Sequence, residues 1–168
     1  MTDHRTEPRW LDAEEQHAWR NYLRTERLLE TALDRDLQKH GVQLSEYEVL
    51  SMLSESPERH MRMSTLADLV VQSRSRLTHT AARLERRGWV DRRPAPVDRR
   101  GVELYLTADG LTALQEMAKV HVESVRCNLT DHLTREEFLA LGRAMHAIGA
   151  GIRSAPGGED RDKGADAC

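Results

Sequence analysis

Apolar residues recur at helical spacing through most of this chain, and strand-like alternation replaces that spacing at one place. The spacing predicts helices over residues 14–39, 45–56, 65–71, 73–87, 107–129 and 134–153. Two short strands, 89–93 and 102–106, are predicted between the fourth and fifth helices. The fold is therefore expected to be mainly α with a small antiparallel β element.

Most of these helices begin at a residue whose side chain can accept a hydrogen bond from the first turn. Ser45 and Thr134 are each followed three residues later by Glu, which is the pattern of a capping box. Ser64, Ser73 and Thr107 are predicted to cap the helices that follow them.

The net charge of −3 conceals a basic section in the middle of the 168 residues. Residues 59–104 carry 11 arginines against 5 acidic groups, whereas 1–58 and 105–168 have charge balances of −6 and −3. Arginine presents a planar fork of donors that fits phosphates and guanine edges. This local excess of positive charge therefore favours a polyanionic partner such as DNA.

Several functional classes are disfavoured by what the sequence does not contain. No stretch approaches the roughly 18 apolar residues of a membrane span, and the N-terminus has no apolar signal core. The histidines lack the HxxxH or HxxH spacing of paired metal ligands, and there is no glycine-rich phosphate loop or nucleophile elbow. We therefore expect a cytoplasmic protein that is not an enzyme, with no metal, no cofactor and no membrane partner.

The short helix 65–71 and the helix 73–87 are joined by a tight turn, as in a helix-turn-helix. The second helix of that motif lies in the major groove of double-stranded DNA. Its face opposite the apolar stripe bears donors and small polar groups, and no carboxylate before Glu85. An ordinary solvated face is the alternative, although such a face normally mixes Glu with Arg. The predicted DNA contacts are Ser73, Arg74, Ser75, Arg76, Thr78, His79 and Arg83.

The loop 94–101 between the two strands is stiffened by two prolines and is predicted to form a wing. An arginine on a projecting hairpin can enter the narrow minor groove beside a major-groove helix. Arg99 and Arg100 are the candidates, and Asp98 is expected to hold a nearby arginine in place. A charged surface hairpin without a DNA role is the alternative.

The last helix places apolar residues at alternating steps of three and four, a heptad seam suited to packing on another helix. The helix 107–129 carries a second apolar stripe, and one small chain is not expected to cover both. We therefore predict a homodimer. Its interface residues are predicted to be Leu111, Leu114, Val125, Leu129, Phe138, Leu141, Met145, Ile148 and Ile152.

The sequence resembles the MarR family of winged helix-turn-helix transcriptional regulators. The resemblance rests on 84–90 (LERRGWV), 98–100 (DRR) and 104–110 (LYLTADG), and it covers roughly residues 14–153. It implies a helical dimerisation body, 14–42 and 107–153, with a winged helix-turn-helix over 43–106. By this resemblance Arg100 corresponds to the wing arginine. Residues 1–13 are expected to be a flexible lead and 154–168 a disordered tail.

The resemblance also implies that a homodimer binds a pseudo-palindromic operator as a repressor responsive to a small aromatic or lipophilic ligand. Trp19, Tyr22 and Tyr47 are candidates to line a ligand pocket, the alternative being that they belong to the core. Cys127 is interpreted as a buried structural thiol. The alternative function is a helical interaction module whose winged helix binds protein instead of DNA.

Overall fold

The computed structural model describes residues 7–96 and 101–154. It confirms a mainly helical chain with a small antiparallel sheet. The helices and strands in chain order are α1 (Ala13–Gln38), α2 (Leu44–Glu55), β1 (His60–Arg62), α3 (Met63–Leu69), α4 (Arg74–Arg86), β2 (Val90–Pro94), β3 (Val102–Leu106), α5 (Ala108–Asn128) and α6 (Arg135–Ser154). Of the expected flexible lead 1–13 the structure describes 7–13, in which Asp12 caps α1 and Ala13 begins it. Of the expected tail 154–168 it describes Ser154, the last residue of α6.

Three of the predicted helix caps are confirmed. Ser73 Oγ accepts from the backbone N–H of Arg76 at 3.2 Å, and Thr107 Oγ1 accepts from that of Gly110 at 3.0 Å. Thr134 and Glu137 form a capping box, in which the backbone N–H of Thr134 donates to Glu137 Oε2 at 2.8 Å. This contact lowers the pKa of the Glu137 carboxyl, since the backbone and hydroxyl of Thr134 stabilise its charged form.

The predicted caps of the second and third helices are wrong. Helix α2 begins at Leu44, one residue before Ser45, because Asp34 of α1 accepts from the backbone N–H of Leu44 at 2.8 Å. Glu46, not Glu48, completes its capping contact by accepting from the N–H of Gln43 at 2.9 Å. Ser64 lies inside the first turn of α3, which begins at Met63 with no side-chain cap.

The described residues form a three-stranded antiparallel sheet in the order β1-β3-β2. Strand β1 was not predicted from the sequence. It has three residues and follows Glu58 and Arg59, whose φ angles of 53° and 57° are left-handed. Met61 pairs with Leu104, and Arg92 pairs with Leu104 from the other side. In β3, Leu104 is buried as expected, but Val102 is exposed because it lies at the outer end of the strand.

The core lies between α2, α3, α4 and the sheet, and it fixes the orientation of α4. The predicted stripe of α4, Leu77, Ala81 and Leu84, is fully buried in it. Leu114 of α5 also joins this core and is 7% exposed, so it is already covered within one chain and is removed from the predicted dimer face. The first third of α5, which contains Leu114, therefore packs against the core of α2, α3, α4 and the sheet.

A close joint connects the sheet to α5. The backbone N–H of Thr107 donates to Trp89 O at 3.1 Å, and its hydroxyl donates to Gly88 O at 2.7 Å. Gly110 lies so near the residue before β2 that an added Cβ would stand 2.1 Å from Trp89 O. Position 110 therefore has no room for a side chain.

The residues of α1 and α6 are far less buried than those of the core. All residues of α1 and α6 are described; only Leu37 of α1 and none of α6 is buried. Ser124 of α5 donates to Asp36 of α1 at 2.7 Å, which ties the two helices together. Within 7–96 and 101–154, no helix is long and apolar enough to cross a membrane.

Candidate nucleic-acid interface

The start of α4 is held by the Ser73 cap and a turn in which Val71 has a left-handed φ of 52°. The helix begins with three polar residues and has no acidic residue in its first turn. Because the first backbone N–H groups of a helix point outward and favour negative charge, this end of α4 suits a phosphate group.

The predicted contact face of α4 is exposed over two turns. Thr78 donates its hydroxyl to Arg74 O at 2.8 Å, which fixes its rotamer on the helix surface. The groove beside this face has a volume of about 370 Å³, and two of its residues, Gln43 before α2 and Ser45 within it, were not predicted to belong to the site. It is lined by Gln43, Ser45, Ser73, Ser75, Arg76, His79, Thr80 and Arg83. The exposed residues of the face are Arg74, Ser75, Arg76, Thr78, His79 and Arg86.

Arg83 differs from this exposed set because its side chain is only one-third exposed and is held by partners within the chain. Its Nε donates to Glu46 Oε1 at 3.0 Å and its Nη2 donates to Gln43 Oε1 at 2.7 Å. Glu46 is 1% exposed, so the ion pair is buried on one side. The sequence reading missed this pair because Glu46 lies 37 residues away along the chain.

Arg92 of β2 joins the wing strands to α4. Its Nη2 donates to Thr78 O at 2.9 Å, and its Nε lies 3.3 Å from Glu85 Oε2. Glu85, the one acidic residue of α4, is thus paired with an arginine of the sheet. Arg92 therefore fixes the position of β2 against α4.

The wing loop is described only at its base, where the backbone N–H of Ala95 donates to Gly101 O at 2.9 Å. Asp98, Arg99 and Arg100 lie outside the described residues. On the outer face of the sheet, the ring of Tyr105 stands 4.5 Å from that of His60, and the Arg93 guanidinium lies 4.3 Å from the Tyr105 ring. Tyr105 donates to Glu103 Oε2 at 2.8 Å, which raises the pKa of the phenol.

The three aromatic residues of the predicted ligand pocket take part in two separate contacts. Trp19 and Tyr22 stack at 5.7 Å on the exposed part of α1. Tyr47 of α2 instead packs against His121 of α5 at 4.3 Å. Burial raises the pKa of Tyr47 and lowers that of His121, since it disfavours both charged forms. The structure thus brings Trp19 and Tyr22 together and leaves Tyr47 at the junction of α2 and α5.

The interpretation of Cys127 as a buried thiol is wrong. Cys127 is exposed on α5, where it donates to Glu123 Oε1 at 3.4 Å. This hydrogen bond to a carboxylate raises the pKa of the thiol and so disfavours the reactive thiolate. Among the residues described, no three His, Cys, Asp or Glu side chains are grouped so as to hold a metal ion.

The known proteins compared below, which resemble this chain in sequence or structure, are transcriptional regulators. The model of the MarR family matches residues 40–101. Sco3205, a MarR family transcriptional regulator from Streptomyces coelicolor solved in complex with DNA, is 43% identical, with a TM-score of 0.85 over 94% of this chain and 98% of that one. AbsC, from the same organism and family, is 41% identical, with a TM-score of 0.81 over 88% and 100%. The HTH-type transcriptional regulator PecS of Dickeya dadantii is 29% identical over 117 residues, 69% of this chain and 70% of PecS.

Proposed function

Since this chain belongs to the MarR family of transcriptional regulators, we propose that it binds a pseudo-palindromic operator as a homodimer and acts as a repressor. In this proposal α4 enters the major groove and the wing loop 94–101 enters the adjacent minor groove. The proposal extends to Arg99 and Arg100 as minor-groove contacts, with Asp98 supporting them.

The observation that carries the proposal is the exposed face of α4. Its residues are hydrogen-bond donors and small polar groups, and the single carboxylate of the helix is engaged by Arg92. The polar groups of this face match those that contact base edges and phosphates. The DNA complex of Sco3205, which is 43% identical to this chain, supports the same partner.

Homodimerisation is supported by the uncovered apolar residues of α6. Met145, Ile148 and Ile152 are 37%, 53% and 67% exposed within one chain. They follow Phe138 and Leu141 along the same heptad seam. A second copy that packs on this seam would bury them and would place two α4 helices on one DNA duplex.

A small aromatic or lipophilic effector is proposed to bind beside Trp19 and Tyr22. The two rings are stacked and about half exposed, and they lie on the part of α1 that the rest of the chain does not cover. Exposed aromatic rings can stack on the ring of an aromatic ligand. Since the proposed target is DNA, we also propose that the protein acts in the cytoplasm.

Alanine substitution on α4 tests DNA reading. We expect Arg74→Ala and His79→Ala each to weaken operator binding by about 1–3 kcal/mol while binding to unrelated duplexes changes little. The measurement is a fluorescence-anisotropy titration on both DNAs. Arg126→Ala, a substitution of an exposed arginine on α5 that pairs with Asp131, is the matched control and should change neither affinity.

Two results would contradict this role of α4. Unchanged affinity of both variants for every duplex would remove α4 from the interface. Binding that is insensitive to salt would favour a protein partner, because each phosphate contact contributes about −0.9 to the slope of log K against log salt.

A further inference from the structure

The last turns of α4 hold the start of α2 through two arginines. Arg83 reaches Glu46 and Gln43, as described above. Arg87, which follows α4, donates from Nη2 to Gly41 O at 2.7 Å, and its guanidinium lies 4.7 Å from the Trp89 ring. Both cations therefore face the segment 41–46, which connects α1 to α2.

Glu46 is the group on which this contact depends. Its side chain is buried, with Oε2 accepting from the N–H of Gln43 at 2.9 Å and Oε1 accepting from Arg83 at 3.0 Å. A buried carboxylate that loses its cation is strongly destabilised, whereas the same carboxylate with both oxygens satisfied is tolerated. The position of α4 relative to α2 is thus restricted to one that keeps this pair intact.

From this geometry we infer that Arg83 and Glu46 are positioning residues for DNA reading: they fix α4 on α2 and contact no DNA themselves. The inference rests on the proposed function. Base contacts require placement to within about 0.5 Å, so a loosened α4 would read DNA poorly even with every contacting side chain present. The rival role for Arg83, whose side chain is one-third exposed, is an ordinary phosphate contact.

The positioning role and the phosphate-contact role of Arg83 predict different effects of a Glu46 substitution on DNA binding. Glu46→Gln removes a negative charge at a buried site, so simple electrostatics would leave DNA binding unchanged or slightly stronger. A Gln at this position has one acceptor, and its NH₂ group would face either the Gln43 N–H or the Arg83 guanidinium, both of which are donors. If the pair positions α4, this variant must weaken operator binding.

The test measures operator and random-duplex affinity, at several salt concentrations, for Glu46→Gln, Arg83→Gln and the double variant. We expect each single change to weaken operator binding at least about fivefold, and the double to lose no more than the worse single. Random-duplex affinity and its salt slope should stay near the unaltered protein's, which shows that the variants are folded. Arg83→Lys, which can still reach Glu46, should recover part of the loss.

A second measurement needs no DNA. Amide hydrogen exchange in 41–46 and 78–86 should be faster in Glu46→Gln and Arg83→Gln, with α6 unchanged. Arg86→Gln, which alters an exposed arginine on the same helix, is the control and should leave exchange as it is.

The possible failures are separable. Full operator affinity in Glu46→Gln, together with a salt slope reduced by about one in Arg83→Gln, would overturn the inference and make Arg83 a phosphate contact. Unchanged amide exchange in both variants would also overturn it. If the unaltered protein prefers no DNA sequence, the proposed function itself fails, and positioning for DNA reading fails with it.

Discussion

At the scale of single residues, one carboxylate ties α1 to α5. Asp36 accepts from Nζ of Lys39, the residue that caps the end of α1, and from Ser124 Oγ on α5, each at 2.7 Å. These two hydrogen bonds, with Lys39 the larger contribution, lower the pKa of Asp36 to about 2 from its ordinary 3.8. Because the folded pKa lies below the unfolded one, this contact stabilises the fold above about pH 4 and is lost as the pH falls towards 2.

Removal of either donor should raise the pKa of Asp36. We expect Lys39→Ala and Ser124→Ala each to move it part of the way back towards 3.8, and the double variant to move it further. The pKa is measured by NMR titration of the carboxyl carbon. Lys119→Ala, which breaks the exposed pair with Glu116, is the control. A pKa of about 2 that persists in the double variant would show that these donors do not hold the carboxylate.

The sequence alone does not distinguish side chains that are exposed on α4 from those that pair with other residues of the chain. Arg74, Ser75 and His79 could be placed on the exposed face of α4 because helical spacing alone determines the face. The same spacing gave Arg83 to that face, since its partners Gln43 and Glu46 lie 40 and 37 residues away. Only the tertiary fold brings such partners together, so a run of arginines could not be divided into DNA contacts and internal ion pairs.

At the scale of elements, the joint between α5 and the residue before β2 is the tightest backbone contact described for a glycine. Gly110 meets Trp89 O, which is a backbone atom that cannot rotate away. By contrast, Gly151 in α6 has open space around the position of a Cβ. These two helical glycines should therefore respond oppositely to the same substitution.

Gly110→Ala should lower the free energy of unfolding by about 3 kcal/mol, because the added methyl forces α5 away from β2. Gly151→Ala should leave it unchanged or raise it by up to about 1 kcal/mol, since Ala is the better helix former. Denaturant unfolding at a fixed protein concentration measures both. Equal stability of the two variants would mean that the joint is looser than its geometry indicates.

Most of the helices and strands could be predicted from the sequence, because the interactions that define their ends are between residues close in the chain. Ser73, Thr107 and Thr134 were identified as caps because each bonds within three residues of itself. The start of α2 was misplaced because Asp34, ten residues earlier, satisfies the first N–H. Strand β1 was missed because its three residues pair with β3 over a separation of more than forty positions.

At the scale of the whole molecule, the proposed homodimer depends on α6. None of the 20 residues of this helix is buried within one chain, although its apolar residues form a heptad seam. We expect Ile148→Asp, within the seam, to convert the proposed dimer to monomers by placing a charge in an apolar interface. Sedimentation equilibrium measures the mass. Arg143→Ala serves as the control on the same helix, and a dimer mass for Ile148→Asp would refute this interface.

The uneven distribution of charge along the chain also bears on the molecule as a whole. The basic section 59–104 contains α3, α4 and the sheet, whereas the acidic ends form most of the helical body. A net charge of −3 is therefore compatible with a DNA-binding surface, because the sign of the local field and not of the total determines where a polyanion binds.

Selection of bound sequences from a random duplex pool by the full chain tests the central claim most directly. We expect an inverted repeat whose half-sites are centred about one helical turn, ~34 Å, apart, as two α4 helices of a homodimer require. Enrichment of a single asymmetric motif would contradict the dimeric arrangement, and a pool that stays random would contradict sequence-specific DNA binding altogether.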